Sequence, residues 1–108
     1  MRLVALESPY SGNRAANEQY ARACLADCLQ RGEAPLASHL LYTQPGVLRD
    51  ELPAERLLGI QAGFAWNSHA AATVVYTDLG ISEGMRLGIA DAENNRRPVE
   101  YRRLTVAK

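Results

Sequence analysis

An excess of charge of either sign is the first thing this sequence lacks. Twelve lysines and arginines stand against 12 acids in 108 residues, so no net field draws the chain to a nucleic-acid polymer or an anionic membrane surface. Long apolar runs are missing too. Nothing approaches the ~18 apolar residues of a membrane span. The opening Met1-Arg2-Leu3-Val4-Ala5-Leu6 is too short for a signal peptide, and no cleavage site follows it. Cysteine is scarce. Cys24 and Cys28 lie four apart in a helical pattern, with neither CxxC nor metal-ligand spacing, and read as two reduced core thiols. The signatures GxGxxG and GxxxxGK(S/T) are also absent, which removes the dinucleotide and P-loop readings. These absences lead us to expect a cytoplasmic chain that uses no metal and no cofactor.

What is present is an ordinary globular composition, 47% apolar and 22% charged, at the size of one domain spanning 1–108. Leu3 to Leu6 is a continuous apolar run, as in a parallel strand covered on both faces. A helix follows from about Ala15 to Arg31, with Tyr20, Ala21, Cys24, Leu25 and Cys28 on its inner face and Gly32 as its stop. Ala34 to Ser38 reads as a strand, and His39 to Leu52 as a long connection with little structure of its own. Pro53 opens a helix to about Trp66, with Leu57, Ile60, Phe64 and Ala65 inward; Gly59 and Gly63 mark a close approach there. Ala72 to Thr77 is the strongest strand, Ser82 to Asn94 a helix, and Val99 to Leu104 a last strand. The basic residues near the end (Arg96, Arg97, Arg102, Arg103, Lys108) read as a solvated surface strand.

The order β-α-β-α-β-α-β predicts a compact α/β sandwich of flavodoxin or Rossmann type, with a parallel sheet of four to five strands. Ligands of such sheets sit beyond the carboxyl ends of the strands. Three loops meet there and supply Ser8, Pro9, Tyr10, Gly12 and Asn13, then His39, then Asp78, Gly80, Ser82, Gly84 and Met85. Ser82 is a good N-cap, and the first turn after it suits a phosphate or carboxylate. The same residues also suit a plain cap and close packing against the sheet. Asp78 is an acid for sugar hydroxyls or a cap of its own turn. His39 is either a satisfied polar group or a proton donor.

Ser8-Pro9-Tyr10-Ser11-Gly12, Asn17 with Tyr20-Ala21, His39 with Tyr42, Pro53-x-x-Arg56 and Asp78-Leu79-Gly80-Ile81-Ser82-Glu83-Gly84-Met85 resemble an uncharacterised family common in phages and prophages. The match to that family covers nearly the whole chain, from Glu7 to Leu104, and the family in turn resembles, more distantly, the nucleoside 2-deoxyribosyltransferases and the 2′-deoxynucleoside 5′-phosphate N-hydrolases. The resemblance implies a nucleoside or nucleotide ligand, a host-cell cytoplasmic location and a homo-oligomer. It further implies cleavage or transfer at the N-glycosidic bond through a carboxylate nucleophile. Glu83 is the leading nucleophile, with Glu7 or Asp78 second. Tyr10 orients it, Asp78 holds the sugar, Ser82 and Gly84 take the phosphate, and His39 donates to the departing base. Aligned on Asp78-x-Gly80, the family's glutamate falls on Gly84, one residue after Glu83. That offset, about 100° on a helix, supports an alternative: a protein that senses or sequesters a nucleotide without turnover.

Overall fold

The computed structural model describes residues 1–104; Lys108 of the basic run lies outside them. Within them the order is β1 (Arg2–Glu7), α1 (Arg14–Gln30), β2 (Glu33–Leu36), α2 (Ser38–Leu41), α3 (Pro53–Asn67), β3 (Ala72–Tyr76), α4 (Glu83–Asn94) and β4 (Val99–Arg102). The sheet is parallel throughout, in the order β2-β1-β3-β4, the leading part of a flavodoxin-like order. The chain leaves β1 towards β2 and returns to β3 on its other side, so the switch point lies between the carboxyl ends of β1 and β3.

Alternation along the strands sorts side chains between two faces. Val4, Leu6, Ala72, Val74 and Tyr76 form one face and pack against Cys24 and Cys28 of α1. Both thiols are fully buried and unbridged. Ala5, Glu7, Thr73 and Val75 form the other face, towards α3 and α4. The β3 strand is buried along its whole length, as a central parallel strand must be. Among the described residues no helix is long and apolar enough to cross a membrane.

Three expectations are corrected. The connection after β2 is not wholly irregular, because Ser38–Leu41 forms a short helix. On α3, Leu57 and Ala65 are exposed, while Gly63 and Asn67 are buried and Ile60 and Phe64 half-buried. The inner stripe therefore lies closer to Arg56, Ile60, Gly63, Phe64 and Asn67. A Cβ at Gly63 would stand 2.8 Å from the Ser38 Cβ, so the glycine lets α2 and α3 touch. The basic run near the C-terminus is solvated only in part: Arg96 and Arg103 are exposed as expected, whereas Arg97 and Arg102 turn inward. Arg97 and Arg102 have side chains only 5% and 7% exposed and pair with Asp91 at 2.6 Å and Glu33 at 2.7 Å. Arg102 meets the Glu33 carboxylate with two nitrogens, each at 2.7 Å, the bidentate geometry that arginine alone provides.

Candidate functional site

The face of the sheet that carries Glu7 is incompletely covered. An open cleft, ≈ 650 Å³ of empty space when the solvent at its mouth is counted, separates α3 from α4. One wall is the inner stripe of α3, where Arg56, Ile60, Phe64 and Asn67 descend from the mouth. The opposite wall is α4, through Gly84, Met85, Leu87 and Gly88. Glu7 and Ser8 at the end of β1 form the floor, with Tyr10 and His39 beside them.

The first turn of α4 and Arg56 meet at the mouth. Ser82 caps α4, its Oγ accepting from the Met85 amide at 3.3 Å, and the Ser82 amide donates to the Met85 sulfur at 3.3 Å. Ser82 is thus the structural cap the sequence allowed, and the turn it opens lines the cleft. A Cβ at Gly84 would lie 3.7 Å from the Arg56 guanidinium. A full positive charge therefore stands across from the positive end of the helix dipole. Arg56 is 41% exposed and only loosely paired with Asp50, at 3.9 Å. Arg56 belonged to the family motif, yet its spacing on α3 alone did not mark it as a site residue.

The floor is different. Glu7 accepts no hydrogen bond and forms no ion pair among the described residues, and burial pushes its carboxyl up to about 8. Arg97 opposes that rise and Asp91 adds to it. Arg97 is already committed to Asp91, to the Thr73 hydroxyl at 2.9 Å and to the Asn67 carbonyl at 2.9 Å. Beside it, Ser8 Oγ and His39 Nε2 share a hydrogen bond at 2.7 Å. Burial pushes the His39 imidazole down to about 4, so at neutral pH it is uncharged. Its acidic form is therefore scarcely populated there. Tyr10 stands edge-on to His39, ring centroids 6.4 Å apart, and Arg14 lies over the Tyr10 ring at 5.1 Å.

Of the other expected site residues, Ser8, Tyr10, His39, Ser82, Gly84 and Met85 line the cleft. Pro9, Gly12, Asn13, Asp78, Gly80 and Glu83 do not. Glu83 is exposed at the first position of α4. Asp78 is drawn to the scaffold: its carboxylate accepts from the Tyr20 hydroxyl at 2.6 Å and the Leu104 amide at 2.9 Å, tying the loop after β3 to α1 and to the end of β4. Asn13 caps α1 through the Ala16 amide at 3.3 Å. Gly12 and Gly80 hold φ of 97° and 86°, the left-handed conformation glycine adopts freely, which makes them turn formers here. Two motif residues in α1 explain themselves the same way. Tyr20 holds Asp78, and Asn17 donates to the carbonyls of Tyr10 and Ser11 at 3.0 Å each, fixing the first loop over the cleft. Among the described residues, no group of three histidines, cysteines or acids is placed to hold a metal ion.

Comparison with known proteins gives one relationship. No curated protein and no solved structure matches the chain. A family model does, described as a domain of unknown function, DUF7768, and it covers residues 2–102. The match runs from the first residue of β1 to the last of β4, taking in every element that builds the cleft, and the chain belongs to the DUF7768 family.

Proposed function

We propose that the cleft binds a nucleoside 5′-monophosphate or a closely related nucleotide, with its phosphate at the mouth and its base along α3. One observation carries this reading: the first turn of α4 and the Arg56 guanidinium face each other across the mouth, near Gly84. Helix amides and a guanidinium converging on one spot are the two commonest phosphate ligands combined. Below them, Ile60 and Phe64 offer the flat apolar wall that suits a base. From Arg56 to Asn67 the helix rises about 16 Å at 1.5 Å per residue, which accommodates a nucleotide lengthwise. The switch-point position and the resemblance to nucleoside 2-deoxyribosyltransferases support the same ligand class.

Cleavage at the N-glycosidic bond is the reaction that this site would host: the C1′–N bond breaks, water supplies the new C1′–O bond, and the base leaves carrying a proton. The acids that line the cleft are Glu7 and Asp50, so they, and not Glu83, are the carboxyls for that step. The position of Glu83 outside the cleft favours a second reading, binding without turnover by a nucleotide-sensing or sequestering protein. The measurement is thermal shift with a panel of ribo- and deoxyribonucleoside 5′-monophosphates, followed by a search for free base with each ligand that binds. A ligand at ~100 times its Kd stabilises by about 2.7 kcal/mol. Absence of any shift at millimolar concentration refutes the nucleotide reading. A shift without base release over hours selects the sensor.

A further inference from the structure

Glu7 is the one acid on the floor of the cleft, and the architecture around it is specific. It ends β1 at the switch point, and its carboxylate fits against Gly88 of α4. A Cβ at that position would overlap the carboxylate directly, so α4 is notched there to admit it. Two neighbouring polar groups are engaged elsewhere: Ser8 with His39, and Arg97 with Asp91, Thr73 and Asn67. Among the described residues no buried polar side-chain atom lacks a hydrogen-bond partner, so the unpaired carboxyl oxygens of the half-buried Glu7 open onto the cleft that it lines.

Depth matters as well. Gly88 lies one helical turn below Gly84, about 6 Å along α4, roughly the span of a pentose. With a phosphate held at Gly84 and Arg56, the group at Glu7's level is the base, near its bond to the sugar.

We propose that the Glu7 carboxyl is the hydrogen-bond donor to the base of the bound nucleotide, pairing with a ring nitrogen or carbonyl that accepts the proton. The inference rests on the nucleotide reading and adds to it the recognition of a base by a neutral acid. The charged and titratable groups around Glu7 are Asp91 of α4 and Arg97 beyond it, with uncharged His39 of α2 and the Asp50–Arg56 pair at the mouth. A carboxylate could accept but not donate, so binding of the base is lost as Glu7 ionises. The phosphate does not confuse this, because its second ionisation, near pH 6, is complete before Glu7 loses its proton.

The test measures affinity from pH 6.5 to 9.5 for the monophosphate that binds best, beside ribose 5-phosphate, which keeps the phosphate and lacks the base. Carboxyl-carbon NMR of the glutamate-labelled protein gives the Glu7 midpoint, assigned with Glu7→Gln. Wild-type affinity for the nucleotide should fall about tenfold per unit above that midpoint, and ribose 5-phosphate should show no such fall. Glu7→Gln keeps an N–H donor and should bind with a flat profile. Intact binding with a flat wild-type profile, a parallel fall for ribose 5-phosphate, or a Glu7 midpoint below 6 each overturns this inference alone. Failure of every monophosphate to bind at any pH overturns the nucleotide reading with it.

Discussion

Replacing Glu7 with glutamine should stabilise the protein, and by an amount that grows with pH. In the folded chain burial moves the carboxyl from 4.5 to about 8. The folded value is the higher one, so folding favours the neutral form. Below pH 4.5 both states hold the proton and nothing is lost. Between 4.5 and 8 the unfolded chain ionises alone and stability drains away, and above 8 the loss levels off. At about 1.36 kcal/mol per unit, the cost to the wild type is about 1 kcal/mol at pH 5 and about 4 kcal/mol at pH 8. Glutamine carries no such cost, so its advantage over the wild type should be about 3 kcal/mol larger at pH 8 than at pH 5. Urea unfolding of both proteins at both pH values reads this directly. Taking the difference of the two differences cancels the pH-independent effect of the amide and the titration of every distant group. Equal advantages at the two pH values would show that Glu7 ionises like any surface acid and would refute the account of the cleft floor. Against a typical total stability of 5–15 kcal/mol, a cost of this size is a large fraction of the whole.

Gly84→Asp should lower affinity for a bound monophosphate at least tenfold in calorimetry and leave the urea midpoint nearly unchanged. An added Cβ there meets only Arg56 Nη2 at 3.7 Å and Ser82 Oγ at 4.0 Å, whereas the added carboxylate opposes the anion. Unaltered affinity would move the phosphate away from α4. Gly63→Ala should cost about 1–3 kcal/mol by overpacking Ser38, and Ser38→Gly in the same chain should recover part of it; a neutral Gly63→Ala would show that α2 and α3 are not in contact. Arg102→Met should lower stability by about 3 kcal/mol, because it leaves the buried Glu33 carboxylate only the more exposed Arg2, at 3.4 Å. An unchanged unfolding midpoint would mean that the pair is solvated. Cys24 and Cys28 are fully buried, and burial pushes the Cys24 thiol up to about 12, so a thiol reagent at pH 8 should label them only after denaturation. Rapid labelling of the native protein at both would contradict the packing of α1.

The residues of this chain that do one job in one element were legible in the sequence. The apolar run of β1, the 3.6-residue stripe of α1 with its two cysteines, the run of β3 and the Ser82 cap all follow from local rules of period and capping. Their order already implied a parallel sheet with its site at the strand ends. The loop residues were harder. Asp78, Asn13 and the glycines at 12 and 80 have the chemistry of ligand contacts, and the same chemistry closes turns and caps helices. In the fold they are spent on those tasks, with Asp78 taken up by Tyr20 and Leu104.

What tertiary structure alone decided is which side chains share the cleft. In the sequence Glu7 stands just past the apolar run of β1, as one of three candidate acids. Only the packing of α4, with a glycine opposite it, buries its carboxyl and leaves it facing a cavity. Arg56 sits 28 residues before Gly84, and no periodicity relates them; the sheet order brings their helices to opposite sides of one opening. The inner face of α3 could not be read from hydrophobicity, because that face lines a polar cleft and leaves Leu57 and Ala65 outside. Local sequence specifies the elements because their energetics are short-ranged. The site depends on distances between elements far apart in the chain, and those are set by how the faces of one sheet are covered.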